Sequence, residues 1–339
     1  MGSGRVWLRK VSATAVLIIS IMCGGCGGNV DMPRFHVPNQ IGNLEYNLVV
    51  GRAAKQEDWL VLVKESDRVV LPIPQLVLYS MSSHNEIVLA QADTIGDISI
   101  VGDNVFYRKG LKGEYYPKLF VYNLESRREK SLISGNIDRY NSYKDKIYYL
   151  EYEDSGYQPL KAYDLKTKET SIVADGNVRC FSVFDGLVFF FDEERMALMR
   201  LDIDTKAVTE IYRYEEGYID NVIALNDTEI MFRSNPDDGE SVIHKLNMVS
   251  NEIQVLYDDE QCWAFHVDGD NMYLFLSSGI VKFDYERLEG ETIVSFGESI
   301  SDVAFFDSCI VVHYFEINKP FPKSFIVIYD YDGNVLDSI

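Results

Sequence analysis

A short strand-ending pattern recurs about every 42 residues along most of the chain. Each copy has a large apolar or aromatic residue, usually followed by Asp or Asn and then by a second apolar residue. The copies are Leu78–Met81, Val121–Leu124, Ala162–Leu165, Arg200–Ile203, Lys245–Met248, Lys282–Tyr285 and Ile328–Tyr331. A repeating unit of this length predicts a repeat architecture in which stacked neighbours bury a shared core.

A second pattern keeps the same period and lies between the copies of the first. It joins two apolar strands through Asp, Asn or Gly, which tolerate left-handed backbone and satisfy their own turn amides. The copies are Val101–Asn104, Tyr143–Asp145, Phe184–Gly186, Leu225–Asp227, Val267–Gly269 and Phe306–Ser308. Two independent turn patterns with one period indicate units of four antiparallel strands.

These units predict an all-β fold, a β-propeller of seven four-stranded antiparallel blades, with six blades plus an irregular cap as the alternative. The expected strands of the fourth unit are Val178–Phe184, Leu187–Phe191, Ala197–Ile203 and Val208–Tyr212, and those of the divergent first unit are Tyr46–Gly51, Trp59–Val63, Gln75–Tyr79 and Glu86–Ala90. The wholly apolar run Leu187–Phe191 is typical of a strand covered on both faces. With seven blades, Val335–Ile339 is the last outer strand, and the ring closes without a strand from the other terminus.

The repeat sequence resembles that of bacterial lipoprotein β-propellers with YWTD-like repeats, the type found in LDL-receptor-related proteins. The segment Ile147–Leu150 followed by Leu160–Leu165 carries the resemblance, although a strict Tyr-Trp-Thr-Asp tetrapeptide is absent. The resemblance covers roughly residues 45–339 and implies a propeller fold. It implies no catalytic residues, because many such lipoproteins have no assigned activity.

The first 30 residues have a different composition. Basic residues precede an apolar run there, namely Arg5, Arg9 and Lys10 and then Val11–Met22. This arrangement is typical of a signal peptide, since the apolar run is too short to span a bilayer comfortably. The following cysteines resemble a lipobox, and Cys26 fits lipidation better than Cys23 because the small residue Gly25 precedes it.

The expected domains are therefore a lipoprotein signal peptide at 1–25, a tether at 26–42 and the propeller at 43–339. One acyl-bearing cysteine supplies enough buried methylene groups for stable attachment, so we expect an extracytoplasmic protein anchored to a bacterial cell membrane. An uncleaved signal anchor and an ordinary signal peptide are the alternatives.

The net charge of −21, from 53 acidic and 32 basic residues, restricts the partners. Nucleic-acid binding requires clustered Lys and Arg to displace counterions, and the sequence has no basic stripe. An anionic membrane surface would also repel this chain, so we expect membrane contact through the N-terminal lipid alone. The expected partner is a protein or glycan of the cell envelope, and the propeller is expected to be a monomer.

No metal or cofactor motif stands out among the histidines, cysteines and acidic turns. The acidic fragments Asp268–Asn271 and Asp330–Asn334 lack the remaining ligands of a calcium loop and are interpreted as hairpin turns. Three cysteines are expected to be buried and free, namely Cys180, Cys262 and Cys309. Of the five histidines, His266 lies in an expected inner strand and is the candidate to face the central channel, with a packed, hydrogen-bonded histidine as the alternative.

The loops between the second and third strands of each unit vary in length, and uneven loops on a rigid scaffold commonly carry function. Aromatic and acidic residues suited to a sugar face or a protein partner lie in them. The candidate binding face comprises Tyr115, Tyr116, Tyr157, Asp237, Asp238 and Phe321.

The sequence contains no nucleophile elbow, phosphate loop or dinucleotide fingerprint. We therefore predict a binding or scaffold module for a protein or glycan, with a purely structural envelope component as another reading. The alternative from a different class is a carbohydrate-active enzyme, a hydrolase or lyase, with its site at the channel mouth. Its paired carboxylates would come from different inner strands.

Overall fold

In a computed structural model, the described residues are 32, 51–66, 72–110, 117–152, 156, 158–237, 239–258, 262–268, 270–297, 299–315 and 324–339. These residues form 28 strands and no helix. The strands make seven four-stranded antiparallel sheets, and the strands of each sheet are consecutive in sequence. The fold is therefore the predicted seven-bladed β-propeller.

The first four blades follow one another along the chain, each running from its inner to its outer strand. Blade 1 contains β1 (Ala53–Gln56), β2 (Trp59–Glu65), β3 (Pro74–Ser80) and β4 (Glu86–Gln91); blade 2 contains β5 (Thr94–Val101), β6 (Asn104–Gly110), β7 (Lys118–Asn123) and β8 (Arg128–Ile133). Blade 3 contains β9 (Ile137–Tyr143), β10 (Lys146–Glu151), β11 (Leu160–Asp164) and β12 (Thr170–Ala174); blade 4 contains β13 (Val178–Phe184), β14 (Leu187–Asp192), β15 (Ala197–Asp202) and β16 (Val208–Arg213).

The last three blades complete the ring with the same strand order. Blade 5 contains β17 (Gly217–Ala224), β18 (Glu229–Pro236), β19 (Val242–Asn247) and β20 (Glu252–Tyr257). Blade 6 contains β21 (Cys262–Asp268), β22 (Asn271–Leu276), β23 (Gly279–Asp284) and β24 (Glu289–Ser295), and blade 7 contains β25 (Ser299–Phe305), β26 (Ile310–Phe315), β27 (Ser324–Tyr329) and β28 (Val335–Ser338).

Strand β14 shows how neighbouring blades bury each other. Successive side chains of a strand point to opposite faces. Val188 and Phe190 pack into a core shared with blade 3, whereas Phe189 and Phe191 pack into a core shared with blade 5. Each blade therefore contributes to two cores, as its apolar run predicted.

The inner strand of blade 1 is the main correction to the expected strand boundaries. It was expected at Tyr46–Gly51 but begins at Ala53, and residues 46–50 lie outside the described part of the chain. The Arg52 carbonyl still accepts from the Val63 amide of β2 at 2.9 Å, but other backbone groups of Gly51 and Arg52 bond to neighbouring blades. The Gly51 carbonyl accepts from the Ile98 amide at 3.0 Å, and the Arg52 amide donates to the Asp302 carboxylate at 2.8 Å.

Ring closure follows the prediction without an exchanged strand. The outer strand β28 pairs with β27 of its own blade, and blade 1 has four strands of its own, so the alternative of six blades plus a cap is wrong. The seam between blades 1 and 7 is a shared apolar core. Its members include Ala53, Leu60, Leu62, Ala304, Val311 and Ile328.

The recurrent Asp and Asn residues are turn-makers, as their period indicated. In blade 3 the Asp164 carboxylate accepts from the amides of Lys166 and Thr167, at 2.8 and 2.9 Å. Asp202, Asn247, Asp284 and Asp330 cap the equivalent turns of blades 4 to 7 in the same way. These residues therefore account for most of the acidic fragments that resemble sites in the sequence.

Candidate active site

In six of the seven inner strands, the pairing with the second strand of the same blade shifts register. Each register shift falls near the start of the strand, and the unpaired residues are Asp97 and Ile98 in blade 2, Asp138 and Arg139 in blade 3, Arg179 in blade 4, Asp220 in blade 5, Trp263 in blade 6 and Ser301 in blade 7. A β-bulge bends the strand and re-aims a side chain, and bulges are common beside active sites.

All inner strands run in the same direction, so these bulges meet on one face of the propeller. We call this face, where the inner strands begin, the mouth. Arg52 occupies the corresponding place in blade 1, directly before β1. The mouth is therefore lined mainly by charged side chains although most of each inner strand is buried and apolar.

Two carboxyl groups from blades 2 and 7 meet beside blade 1. Asp302 accepts a hydrogen bond from the Arg52 amide at 2.8 Å, and Asp97 accepts one from the adjacent Gly51 amide. Asp97 also pairs with the Arg108 guanidinium, whose Nη1 lies 2.7 Å from its Oδ2. Consecutive amides of one chain segment therefore hold both carboxyl groups, and the charge of Asp97 acts on Asp302. Asp97 is 7 % exposed and Asp302 6 %.

The two carboxyl groups differ in protonation. Burial raises the pKa of Asp97 to about 6, and the charge of Asp138 adds to the rise while Arg108 opposes it. Burial raises the pKa of Asp302 well above its usual range, with Asp97 adding to the rise and the Arg52 amide opposing it. The site therefore favours a protonated Asp302 beside an Asp97 that ionises near pH 6, which is the arrangement of an acid–base pair.

A neutral histidine lies behind this pair. His313 in β26 is the cross-strand partner of Asp302 and is 1 % exposed. Burial and the charge of Arg52 lower the pKa of His313 to about 3, so the ring is uncharged at neutral pH. Its Nε2 has no hydrogen-bond partner among the described residues. Together Arg52, Asp97, Arg108, Asp302 and His313 form what we call the carboxyl arc, on blades 7, 1 and 2.

The opposite side of the mouth is organised by a buried arginine. Arg233 donates to both carboxylate oxygens of Asp220, at 2.8 and 2.7 Å, and is 5 % exposed. Its Nη1 also donates to the carbonyl of Cys262, at 2.7 Å, and to that of Trp263. One guanidinium thus fixes the bulge of its own blade and that of the next.

Two further arginines extend this side. Arg139 of blade 3 reaches past blade 4 to the Asp220 carbonyl, at 3.3 Å. Arg179 of blade 4 pairs with Glu193 at 2.7 Å and lies 3.6 Å above the Tyr218 ring. We call Arg139, Arg179, Asp220, Arg233 and Trp263 the arginine arc, on blades 3 to 6.

The structure places two of the predicted site residues. His266 is buried in a stack, with its ring centroid 5.6 Å from that of Phe305 at an interplanar angle of 9°, and Tyr273 and Tyr331 lie around it. Burial lowers the pKa of His266 to about 4. Asp237 is exposed after β18, where its amide donates to the Glu216 carbonyl at 3.0 Å. A functional role for either residue stays a prediction.

The other predicted site residues lie outside the described part of the chain, so their roles also stay predictions. They are Tyr115, Tyr116, Tyr157, Asp238, Phe321 and the two candidate lipidation sites, Cys26 and Cys23. Cys180, Cys262 and Cys309 are buried and free, as expected.

Sequence reasoning missed the mouth residues although the repeat contained a signal for them. Asp97, Asp138, Arg179 and Asp220 recur at one repeat's spacing, each near the start of an otherwise apolar strand. A charged residue at a fixed position of a buried strand is costly to bury without a partner. Its recurrence therefore could have indicated a shared polar surface where the inner strands converge.

The described residues contain neither a metal-binding cluster nor a helix that could span a membrane. No group of three or more His, Cys, Asp and Glu side chains there is arranged to hold a metal ion. Within the same residues, we found no helix with the length and apolar character that crossing a membrane requires.

Neither a protein-family model nor a curated protein matches the sequence. The fold is similar to that of oligogalacturonate lyase from Vibrio parahaemolyticus, with a TM-score of 0.56, 12% identity and 86% of this chain aligned to 98% of that one. It is also similar to the β-propeller domain of the Trilobed protease from Pyrococcus furiosus, with a TM-score of 0.61, 11% identity and coverage of 86% and 98%. Acylaminoacyl peptidase from Pyrococcus horikoshii gives a TM-score of 0.61 at 9% identity, and this chain covers 52% of its length. At these identities the likeness concerns the fold.

These similarities correct the main functional prediction. Solved structures similar to this one are enzymes with propeller domains, and they contradict the prediction of a non-enzymatic binding or scaffold module. The alternative, a carbohydrate-active enzyme with its site at the channel mouth, is the better supported of the two predictions. The fold itself is that of a seven-bladed β-propeller.

Proposed function

We propose that the chain is a carbohydrate-active enzyme, a hydrolase or a lyase, whose site is the mouth of the propeller. The observation that carries the proposal is the carboxyl pair of Asp97 and Asp302. The two groups come from different blades and accept hydrogen bonds from consecutive backbone amides. They differ in their tendency to hold a proton.

In either reaction Asp302 donates its proton to the glycosidic oxygen as the bond to the leaving sugar breaks. In hydrolysis Asp97 takes a proton from the water that attacks the anomeric carbon. In elimination Asp97 takes a proton from a ring carbon, and a carbon–carbon double bond forms as the leaving sugar departs. Burial raises the pKa of Asp302 despite the opposing charge of Arg52, so this group holds the proton to be donated.

The similar structures support a glycan substrate more than a peptide. The lyase aligns over 98% of its length, so its activity belongs to a chain of essentially this fold. This chain spans about half the length of the acylaminoacyl peptidase, so the activity of that whole enzyme carries less weight for this chain than that of the lyase.

The test is cleavage of a panel of cell-envelope and plant polysaccharides by the purified chain. New reducing ends report both reactions, whereas ultraviolet absorbance from an unsaturated sugar reports elimination alone. We expect Asp302→Asn to lower turnover by about 10²–10⁴-fold, because the amide cannot donate the proton. Asp202→Asn, in an outer turn of blade 4, is the matched control and should keep wild-type turnover. Wild-type turnover in both Asp302→Asn and Asp97→Asn would contradict the proposal.

We further propose that the protein is lipidated at Cys26 and held outside the cytoplasm at a bacterial membrane, as a lipoprotein of the YWTD-like type. The basic residues, the apolar run and the small residue before Cys26 support this location. It would place the mouth among envelope or extracellular glycans. Mass spectrometry of the mature N-terminus tests the proposal, and an N-terminus without lipid would exclude it.

A further inference from the structure

We propose that the arginine arc is a subsite for an anionic sugar unit, in which Trp263 stacks on the sugar ring and Arg179 binds its carboxylate or sulfate. This inference rests on the proposed function, because it names the class of glycan that the carboxyl arc would cleave. It assigns binding to one side of the mouth and proton transfer to the other.

Trp263 is an unusual residue for its position. It lies on an inner strand, yet it is 53 % exposed, so burial of its ring does not explain its place there. The bulge at Trp263 frees its side chain from the ladder, and Arg233 holds its carbonyl. A large, rigid ring with an exposed face is the geometry that stacks on the apolar face of a pyranose.

Arg179 has the complementary chemistry. Its guanidinium is fixed from below by the Tyr218 ring and on one edge by Glu193, and its side chain is 38% exposed. A planar fork held in this way binds oxyanions bidentately with little loss of conformational freedom. Arg139 donates to the Asp220 backbone carbonyl from two blades away, so a side chain of blade 3 reaches the backbone of blade 5 at the mouth.

Arginines are gathered at the mouth of a chain whose net charge is −21. They are Arg52, Arg108, Arg139, Arg179 and Arg233. Arg108, Arg139, Arg179 and Arg233 pair with Asp97, Asp138, Glu193 and Asp220, respectively. Arg179 gives its Nη1 to Glu193 and is 38% exposed, so its other N–H groups can meet an oxyanion from the solvent side.

A buried donor without a partner lies next to the bulge of blade 5. The Nδ2 of Asn221, directly after Asp220, has no hydrogen-bond partner within the described chain, and the residue is almost fully buried. Buried amides normally have partners, so we expect an ordered water at this atom.

The test uses tryptophan fluorescence of the full chain titrated with uronate trisaccharides, sulfated trisaccharides and the carboxyl-reduced form of the uronates. We expect one of the two anionic series to quench and blue-shift the emission, and the responding series identifies the oxyanion. The carboxyl-reduced sugar should bind at least 10-fold more weakly than the uronate if the carboxylate is read. Trp263→Phe should abolish the signal, whereas Trp59→Phe, at the opposite end of a blade, should keep it.

Arg179→Met should weaken binding of the anionic sugar about 10-fold or more, with Arg179→Lys intermediate, and circular dichroism would confirm that both variants fold.

Equal affinity for charged and uncharged sugars, or a signal that survives Trp263→Phe, would overturn the inference. Asp302→Asn separates it from the proposed function, because this variant should lose turnover and keep binding. Binding without turnover in the wild type would contradict the proposed enzyme and support the subsite. Turnover with an unchanged KM in both the Trp263 and Arg179 variants would contradict the subsite and support the proposed enzyme.

Discussion

The two sides of the mouth are built on the same strand irregularity and carry different chemistry. In the carboxyl arc, Asp97 and Asp302 are buried, and burial pushes both towards the protonated form. In the arginine arc, Arg233 saturates the Asp220 carboxylate with two hydrogen bonds, and Trp263 stands exposed. Asp97, Asp220 and Trp263 are bulge residues, whereas Asp302 directly follows the bulge at Ser301 and pairs with His313. The identity and partners of each side chain then decide its chemistry.

Blade 1 makes this difference. Gly51 and Arg52 precede its inner strand, and their amides donate to Asp97 of blade 2 and Asp302 of blade 7. Asp97 also faces the Arg108 guanidinium, and Asp302 the charge of Arg52, yet burial outweighs both cations and the pKa of each carboxyl group stays raised. In the arginine arc, two hydrogen bonds from Arg233 hold the Asp220 carboxylate in an ion pair.

The largest effect is expected from removing the buried arginine of the arginine arc. Arg233→Met leaves the Asp220 carboxylate without its partner and removes one donor from each of two carbonyls, so we expect a loss of about 3–5 kcal/mol in the free energy of unfolding. Urea denaturation measures it. Arg108→Met is the matched variant in the carboxyl arc. Its cost should be smaller at pH 5 than at pH 8, because Asp97 can take a proton. Equal, pH-independent costs for both variants would remove the distinction between the arcs.

The second prediction concerns pH and isolates the carboxyl arc. A carboxyl group whose folded pKa exceeds its unfolded value of about 3.9 binds its proton more tightly in the folded state. The stabilisation that this group contributes is therefore fully present below about pH 4. It falls by up to about 1.4 kcal/mol per pH unit as the pH rises towards the folded pKa. Relative to Asp97→Asn, the wild type should lose stability from about pH 4 to about pH 6, the folded pKa of Asp97. Relative to Asp302→Asn, the loss should continue to higher pH.

Urea melts of the three proteins across this pH range measure these differences. The buried histidines, whose lowered pKa values act in the opposite direction, cancel in the comparison of each variant with the wild type. Asp58→Asn is the control, since serine hydrogen bonds lower the pKa of Asp58 against the effect of burial. Its contribution should be lost only as pH falls below about 4. A flat difference between wild type and Asp302→Asn would show that Asp302 is ionised in the folded protein.

The smallest effect is expected at the glycines that lead into the inner strands. Gly217 has a φ of +149°, and a Cβ there would lie 2.1 Å from the Asn235 carbonyl oxygen. Gly217→Ala should therefore cost about 1–3 kcal/mol in unfolding free energy. Gly297, before β25, has open space around it, and Gly297→Ala should leave the thermal midpoint unchanged. If both variants melt alike, the path into the arginine arc is not fixed by Gly217.

Much of the fold could be predicted because it depends on local chemistry. The expected strands of blade 4 agree with the observed ones within one residue at each end, since apolar runs and capped turns delimit them. The first strand of blade 1 could not be placed in this way. Its start depends on hydrogen bonds from Gly51 and Arg52 to residues about 50 and 250 positions away, and no local pattern records such partners.

The candidate site shows the same division more sharply. The sequence by itself determined the repeat, the number of blades and the role of residues such as Asp164 and Asp202 as turn-makers, because each rests on contacts within a few residues. Only the tertiary structure decided that Asp97 and Asp302 form a pair and that Trp263 is exposed. Closing the ring brings the starts of distant strands onto one face, and burial there, which depends on every blade at once, sets the pKa of each group.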